Sequence, residues 1–166
     1  MFRKSELKDV DKIMHIINQA QEYIKSQDID QWQNGYPNSE TIKDDIKNGV
    51  SYVLEEEGNI VATTVISFDG EPTYDKIYDG AWLSNYNFAV IHRIAVNNDY
   101  KGRGLAGKLI KETENFCKEK NLKSIRIDTH TKNLAMQNSV KKNGFEYCGI
   151  IYVRDGSERV AFEKLI

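Results

Sequence analysis

The chain has 166 residues, 40% of them hydrophobic and 29% charged, with a formal net charge of −2 at pH 7. That is the size of one domain with one apolar core, and no second domain is expected. A weakly acidic balance without a basic stripe argues against a nucleic-acid or anionic-membrane partner and points to small solutes.

In chain order, the opening residues Met1 to Glu6 lack the long apolar stretch of a signal peptide, and no later run approaches a membrane span. A cytoplasmic protein is expected. After a short N-terminal strand, Leu7, Val10, Ile13, Met14, Ile17, Ala20 and Ile24 recur at three and four and predict an amphipathic first helix. Ser39 reads as the N-cap of a short second helix carrying Ile42 and Ile46 and ended by Asn48-Gly49. Val50 to Glu56 and Asn59 to Phe68 flank the turn Glu57-Gly58 as a hairpin. A long loop, Asp69 to Ser84, carries Pro72, Tyr74, Tyr78 and Trp82 and precedes a strand from about Asn87 to Val96. A third helix from about Gly104 to Lys120 places Leu105, Leu109, Thr113, Phe116 and Cys117 on one face. A strand from Ser124 to Thr129, a helix from Leu134 to Asn143, and strands near Phe145 to Val153 and Arg159 to Leu165 close the chain. The order βααβββαβαββ predicts an α/β (α+β) fold. Its mixed, mostly antiparallel sheet of six to seven strands is flanked by four helices, and strands four and five are parallel because the third helix crosses between them. Cys117 and Cys148 fall on a helix and a strand without metal-ligand spacing, so they read as reduced core thiols and no metal is expected.

The most informative stretch is Lys101-Gly102-Arg103-Gly104-Leu105-Ala106-Gly107-Lys108, which follows an apolar strand and opens a helix. Glycines there let backbone N–H groups approach an anion closely, so the loop is expected to bind phosphate. A magnesium-dependent P-loop needs a hydroxyl after the lysine, and Leu109 stands there instead. A dinucleotide fingerprint belongs at the end of a first strand with several parallel strands to follow. Here Asn97 to Lys101 separate strand from glycine, and only about sixty residues remain.

The third reading is the pyrophosphate loop of an acyl-CoA-dependent enzyme. Ile94-Ala95-Val96 followed by Lys101-Gly102-Arg103-Gly104-Leu105-Ala106 resembles the signature strand and loop of the GNAT family of N-acetyltransferases. Asn133 and Gly144-Phe145 stand at the spacing of that family's closing motif. The resemblance is strongest from about Ala89 to Phe145. Two departures are Lys101 in place of the usual Arg or Gln, and Val140 where many relatives carry a tyrosine acid. The resemblance implies acetyl-CoA as cosubstrate, held by backbone groups of Ile94, Ala95 and Val96 along the pantetheine arm, in the V of splayed strands four and five. Lys101, Gly102, Arg103, Gly104, Leu105, Ala106 and Gly107 would lie around the pyrophosphate, with Lys108 nearby, and Asn133 beside the arm. Asn133 reads equally as the N-cap of the fourth helix. A small-molecule or peptide amine would be the acceptor, and a homodimer would follow the family's habit.

An amine with a pKa near 10.4 is free base about once in two thousand molecules at pH 7, a deficit of roughly 4–5 kcal/mol that a base would offset. His92, two residues before Ile94, stands where some relatives carry a histidine and is the candidate; by strand alternation it shares a face with Val90 and Ile94. A packing histidine beside Arg93 is the alternative. His130, after the following strand, is the next candidate, and His15 reads as surface. Ser139, Tyr147 and Tyr152 are candidate acids in place of Val140, as is water. Trp32 and Tyr36, between the first two helices, either line the acceptor pocket or anchor the helix connection. The acidic groups Asp44-Asp45 and Glu55-Glu56-Glu57 either attract a cationic acceptor or are solvated surface. A non-catalytic acyl-CoA sensor of the same fold is the alternative to the enzyme.

Overall fold

The computed structural model describes Met1 to Ile166. Its elements are β1 (Phe2–Lys4), α1 (Val10–Ser26), α2 (Ser39–Lys47), β2 (Ser51–Glu56), β3 (Asn59–Ser67), β4 (Phe88–Val96), α3 (Leu105–Glu119), β5 (Ser124–His130), α4 (Leu134–Lys142), β6 (Glu146–Tyr152) and β7 (Glu158–Leu165). The strands form one seven-stranded sheet in the order β1-β2-β3-β4-β5-β7-β6. β4 and β5 are parallel, as the crossover through α3 requires, and their register is Phe88↔Ser124, Ala89↔Ile125 and Val90↔Arg126. The β1–β2, β2–β3, β5–β7 and β6–β7 pairs are antiparallel. No helix is long and apolar enough to cross a membrane.

Two compact units make up the chain: Met1–Ile66 with Arg93–Glu112, and Ser67–His92 with Thr113–Ile166. In the first, Val10, Ile13, Ile16 and Ile17 of α1 and Ile42 of α2 bury against Val53, Ile60 and Ala95, with Met14, Ala20, Trp32 and Ile46 packed around them. Each fully buried aliphatic side chain of this kind contributes about 1.5–3 kcal/mol. The predicted start of the first helix is corrected. Leu7–Asp9 is a separate 3₁₀ turn, and Leu7 is exposed. Asp9 closes that turn by accepting from the Glu6 N–H at 2.8 Å, and it receives both ends of the Arg3 guanidinium at 2.8 and 3.1 Å. The cap of α2 is also corrected, from Ser39 to Asn38. The Asn38 Oδ1 accepts from the Thr41 N–H at 3.1 Å, while Ser39 is already helical.

In the second unit Tyr74, Val90, Ile151 and Ala161 form a buried group, joined by Ile77, Trp82, Phe88 and Val153. The segment predicted as a long loop carries a 3₁₀ turn at Pro72–Tyr74, and Tyr78 makes an antiparallel bridge to Ile150. This bridge explains Gly149: its φ is +147°, and a Cβ there would meet the Tyr78 carbonyl oxygen at 2.4 Å, so no larger residue fits. Cys117 and Cys148 are free and buried, and burial pushes the Cys117 thiol up to about 12.

Candidate active site

The glycine loop lies between a 3₁₀ turn at Asn98–Tyr100 and the first residue of α3. Gly102 and Gly104 have φ values of +79° and +71°, a backbone that L side chains adopt only with strain, and a Cβ at either would meet nothing within 4 Å. The loop therefore presents main chain to open space at the start of a fifteen-residue helix. The first N–H groups of a helix have no carbonyl one turn back, and α3 begins there, with the Lys108 N–H bonded to the Gly104 carbonyl at 3.0 Å. Gly107 lies in the first turn of α3 rather than in the loop.

The basic residues of the loop already have partners. The Lys101 Nζ sits 5.0 Å from the centre of the Tyr23 ring, and the Arg103 guanidinium 5.4 Å from that of Tyr100. Glu56 accepts from Arg103 at 3.0 Å and from Lys108 at 3.3 Å. Of the Glu55-Glu56-Glu57 group, Glu55 pairs with Arg3 and Glu56 holds the loop's cations. Exposed pairs of this kind are worth about 0–1 kcal/mol, so these side chains are readily redirected.

In β4, Ile94 and Ala95 are buried and Val96 is half-buried. His92 is exposed in a run that is otherwise buried from Ala89 to Ala95, so it differs in accessibility from Val90 and Ile94. Its Nε2 lies 3.0 Å from the Ser67 Oγ. Arg93 next to it is buried and forms an ion pair with Asp45, and its Nη1 donates to the Tyr36 hydroxyl at 2.9 Å. Burial pushes the Asp45 carboxyl up, and the Arg93 charge offsets part of that. Asp45 is thus the counterion of a buried arginine. Tyr36 is exposed, with the Arg93 guanidinium 5.7 Å from its ring centre, whereas Trp32 packs against the α1 and α2 core.

Asn133 is buried and caps α4, its Oδ1 accepting from the Met136 N–H at 3.1 Å. The His130 Nδ1 accepts from the Lys132 N–H at 3.0 Å, and His15, exposed on α1, lies 3.1 Å from the Gln19 amide. Val140 is buried. Tyr147 and Tyr152 are exposed, and each packs edge-on against a neighbouring ring, Phe162 and Tyr78 respectively. Ser139 lies on α4, where its carbonyl accepts from the Asn143 side chain at 2.8 Å.

Two polar groups on β5 and β7 were missed by sequence reasoning. Glu163 is fully buried and accepts from the Leu83 N–H at 2.6 Å, the Ser84 Oγ at 2.8 Å, the Ser124 Oγ at 2.6 Å and the Arg126 Nε at 3.3 Å. Arg126 is sandwiched between Trp82 and Phe88, 4.1 and 4.0 Å from their ring centres. Asp128, farther along β5, accepts from the buried Tyr74 hydroxyl at 2.6 Å. The alternation of Ser124, Arg126 and Asp128 with Ile125 and Ile127 sets the three polar residues on one face of β5, but in the sequence that pattern reads as a solvated face.

The model of the Acetyltransferase (GNAT) family matches residues 13–145. The chain belongs to this family. Over its full length it is 36% identical to a GNAT-family acetyltransferase from Streptococcus agalactiae, covering 95% of that chain with a TM-score of 0.89. It is also similar, at 25% identity over all of this chain and 89% of the other, to the S-alkylcysteine N-acetyltransferase of Bacillus subtilis strain 168. The fold is shared with the PaiA N-acetyltransferase of Thermoplasma acidophilum, solved in complex with coenzyme A, at 17% identity over all of this chain and 98% of that one, with a TM-score of 0.72. The chain is thus an N-acetyltransferase, and its seven-stranded sheet with four helices is the GNAT fold.

Proposed function

We propose that this acetyltransferase moves an acetyl group from acetyl-CoA to a primary amine of a small molecule or peptide. The observation that carries the proposal is the glycine loop, in which two positive-φ glycines open onto empty space at the start of α3. Acetyl-CoA supplies an activated thioester carbonyl, which the amine attacks directly. The loop backbone from Lys101 to Ala106 and the first turn of α3 bind the diphosphate, with Lys101, Arg103 and Lys108 adding charge-assisted contacts. Main-chain groups of Ile94, Ala95 and Val96 hold the pantetheine arm. His92, accessible in an otherwise buried stretch, accepts the proton that the amine must lose. With Val140 in place of a tyrosine, the leaving thiolate takes its proton from water. Tyr36 and Trp32 border the acceptor.

Thermal denaturation with ligand tests the binding step. Acetyl-CoA at a hundred times its dissociation constant should add about 2.7 kcal/mol to folding, a rise of several degrees in Tm, while NAD and Mg-ATP leave Tm unchanged. Equal shifts with either nucleotide would return the loop to the dinucleotide or P-loop readings. Gly104→Glu sets a carboxylate where the diphosphate approaches and forces a side chain onto a backbone at φ +71°. By calorimetric titration, CoA affinity should fall at least tenfold, about 1.4 kcal/mol. A folded variant with undiminished affinity would place the diphosphate elsewhere.

A further inference from the structure

We infer that Asp128, held by Tyr74, binds a second positive charge on the acceptor, so that the preferred acceptors are diamines rather than simple monoamines. The inference rests on the amine-acetylating reading above. His92 and Asp128 each stand two positions beyond Val90↔Arg126 in the register of β4 with β5, on the side of this parallel pair that runs toward its C-terminal ends. Ligand crevices form at such ends, because the neighbouring strands are free to part there.

The surroundings of Asp128 select a cation. Tyr74 is buried with Val90, Ile151 and Ala161, and its ring lies 5.1 Å from that of Trp82, so its hydroxyl is aimed by packing. That hydroxyl donates to Oδ2 of Asp128 at 2.6 Å. An ionised carboxylate accepts about four hydrogen bonds, and one phenol leaves most of that capacity open. Burial pushes the Asp128 carboxyl up, while the Tyr74 hydrogen bond and the charge of Arg159 pull it back. The negative charge of Glu71 adds to that of Asp128, and Glu71 is itself anchored by the Thr73 hydroxyl at 2.9 Å. An ammonium would supply the donors and the opposite charge that this half-buried carboxylate still lacks.

The bound ammonium is not the reacting one. A carboxylate beside an amine favours its protonated form, which has no lone pair to attack a thioester. The reacting nitrogen belongs near His92, and the charge at Asp128 is therefore a different one on the same acceptor. Tyr74 does not serve as the acid, because its proton is committed to Asp128 and burial raises its pKa well above the usual phenol value.

The test compares butylamine with diaminobutane, the same carbon chain without and with a second ammonium, using acetyl-CoA and the intact protein. The wild type should favour diaminobutane in kcat/KM by about tenfold or more, mostly through KM. Asp128→Asn should bring the two amines to within about twofold of each other, and Tyr74→Phe, which keeps the ring in its apolar group, should cut the preference partway. A wild type without preference, or a preference that survives in Asp128→Asn, would overturn the inference. Should Asp128→Asn fail to fold, an undiminished preference in Tyr74→Phe would overturn it equally. Release of CoA with neither these nor any other amine would instead sink the transfer reading itself.

Discussion

His92→Gln is expected to lower kcat/KM by roughly 10² to 10⁴ at neutral pH while CoA affinity stays within a few-fold, the span attributed to a positioned general base. His92 is accessible in a strand otherwise buried from Ala89 to Ala95, and the Ser67 hydroxyl lies 3.0 Å from its Nε2. The deficit to be met is the proton on the amine, roughly 4–5 kcal/mol at pH 7. The sign with pH follows from that deficit. As pH rises the amine deprotonates in solution and the base is needed less, so the gap between variant and wild type should narrow. Steady-state rates from neutral to alkaline pH would show it. A variant with wild-type rates at neutral pH would retire His92 to a surface role and leave His130 or water as the base.

Glu163→Ala is expected to cost about 3–5 kcal/mol of stability, on the order of 10 °C in Tm for a chain of this size. The carboxylate is fully buried, and its loss strands the Arg126 guanidinium together with the Ser124 and Ser84 hydroxyls and the Leu83 N–H. Those contacts tie the Leu83–Ser84 end of the segment before β4 to β5 and β7, so the loss should also loosen that segment. Glu163→Gln keeps the volume and separates lost charge from lost packing. Chemical denaturation read by tryptophan fluorescence would report both, since Trp82 stacks on Arg126. A cost below about 1 kcal/mol for the alanine variant would mean that water replaces the carboxylate and that the network does not hold the segment.

Much of this architecture is local chemistry. The α1 stripe from Val10 to Ile24, the Glu57-Gly58 turn and the α3 face from Leu105 to Cys117 each depend on residues within a few positions of one another, and each is found where periodicity places it. The glycine loop is legible for the same reason, since a positive φ is a property of one residue and its neighbours. Where local signals compete, local reasoning slips. Asn38 and Ser39 are both good caps, and only the bond from the Thr41 N–H decides between them.

The sequence by itself determined the strand and helix order, the parallel crossover from β4 to β5, the glycine loop and the family resemblance. The tertiary structure alone decided the partners of the charged residues. Asp45 pairs with Arg93 at a separation of 48 residues, Glu56 with Arg103 at 47, Tyr74 with Asp128 at 54, and Leu83 with Glu163 at 80. Read in the sequence, the acidic groups are solvated surface first and an acceptor lure second. In the fold, Asp45, Glu55 and Glu56 are counterions. The reason is physical: a strand's alternation says which residues share a face but not which strand or loop comes to lie over it. Charges are matched only after that packing is complete, because an ion pair adds little until its surroundings exclude water.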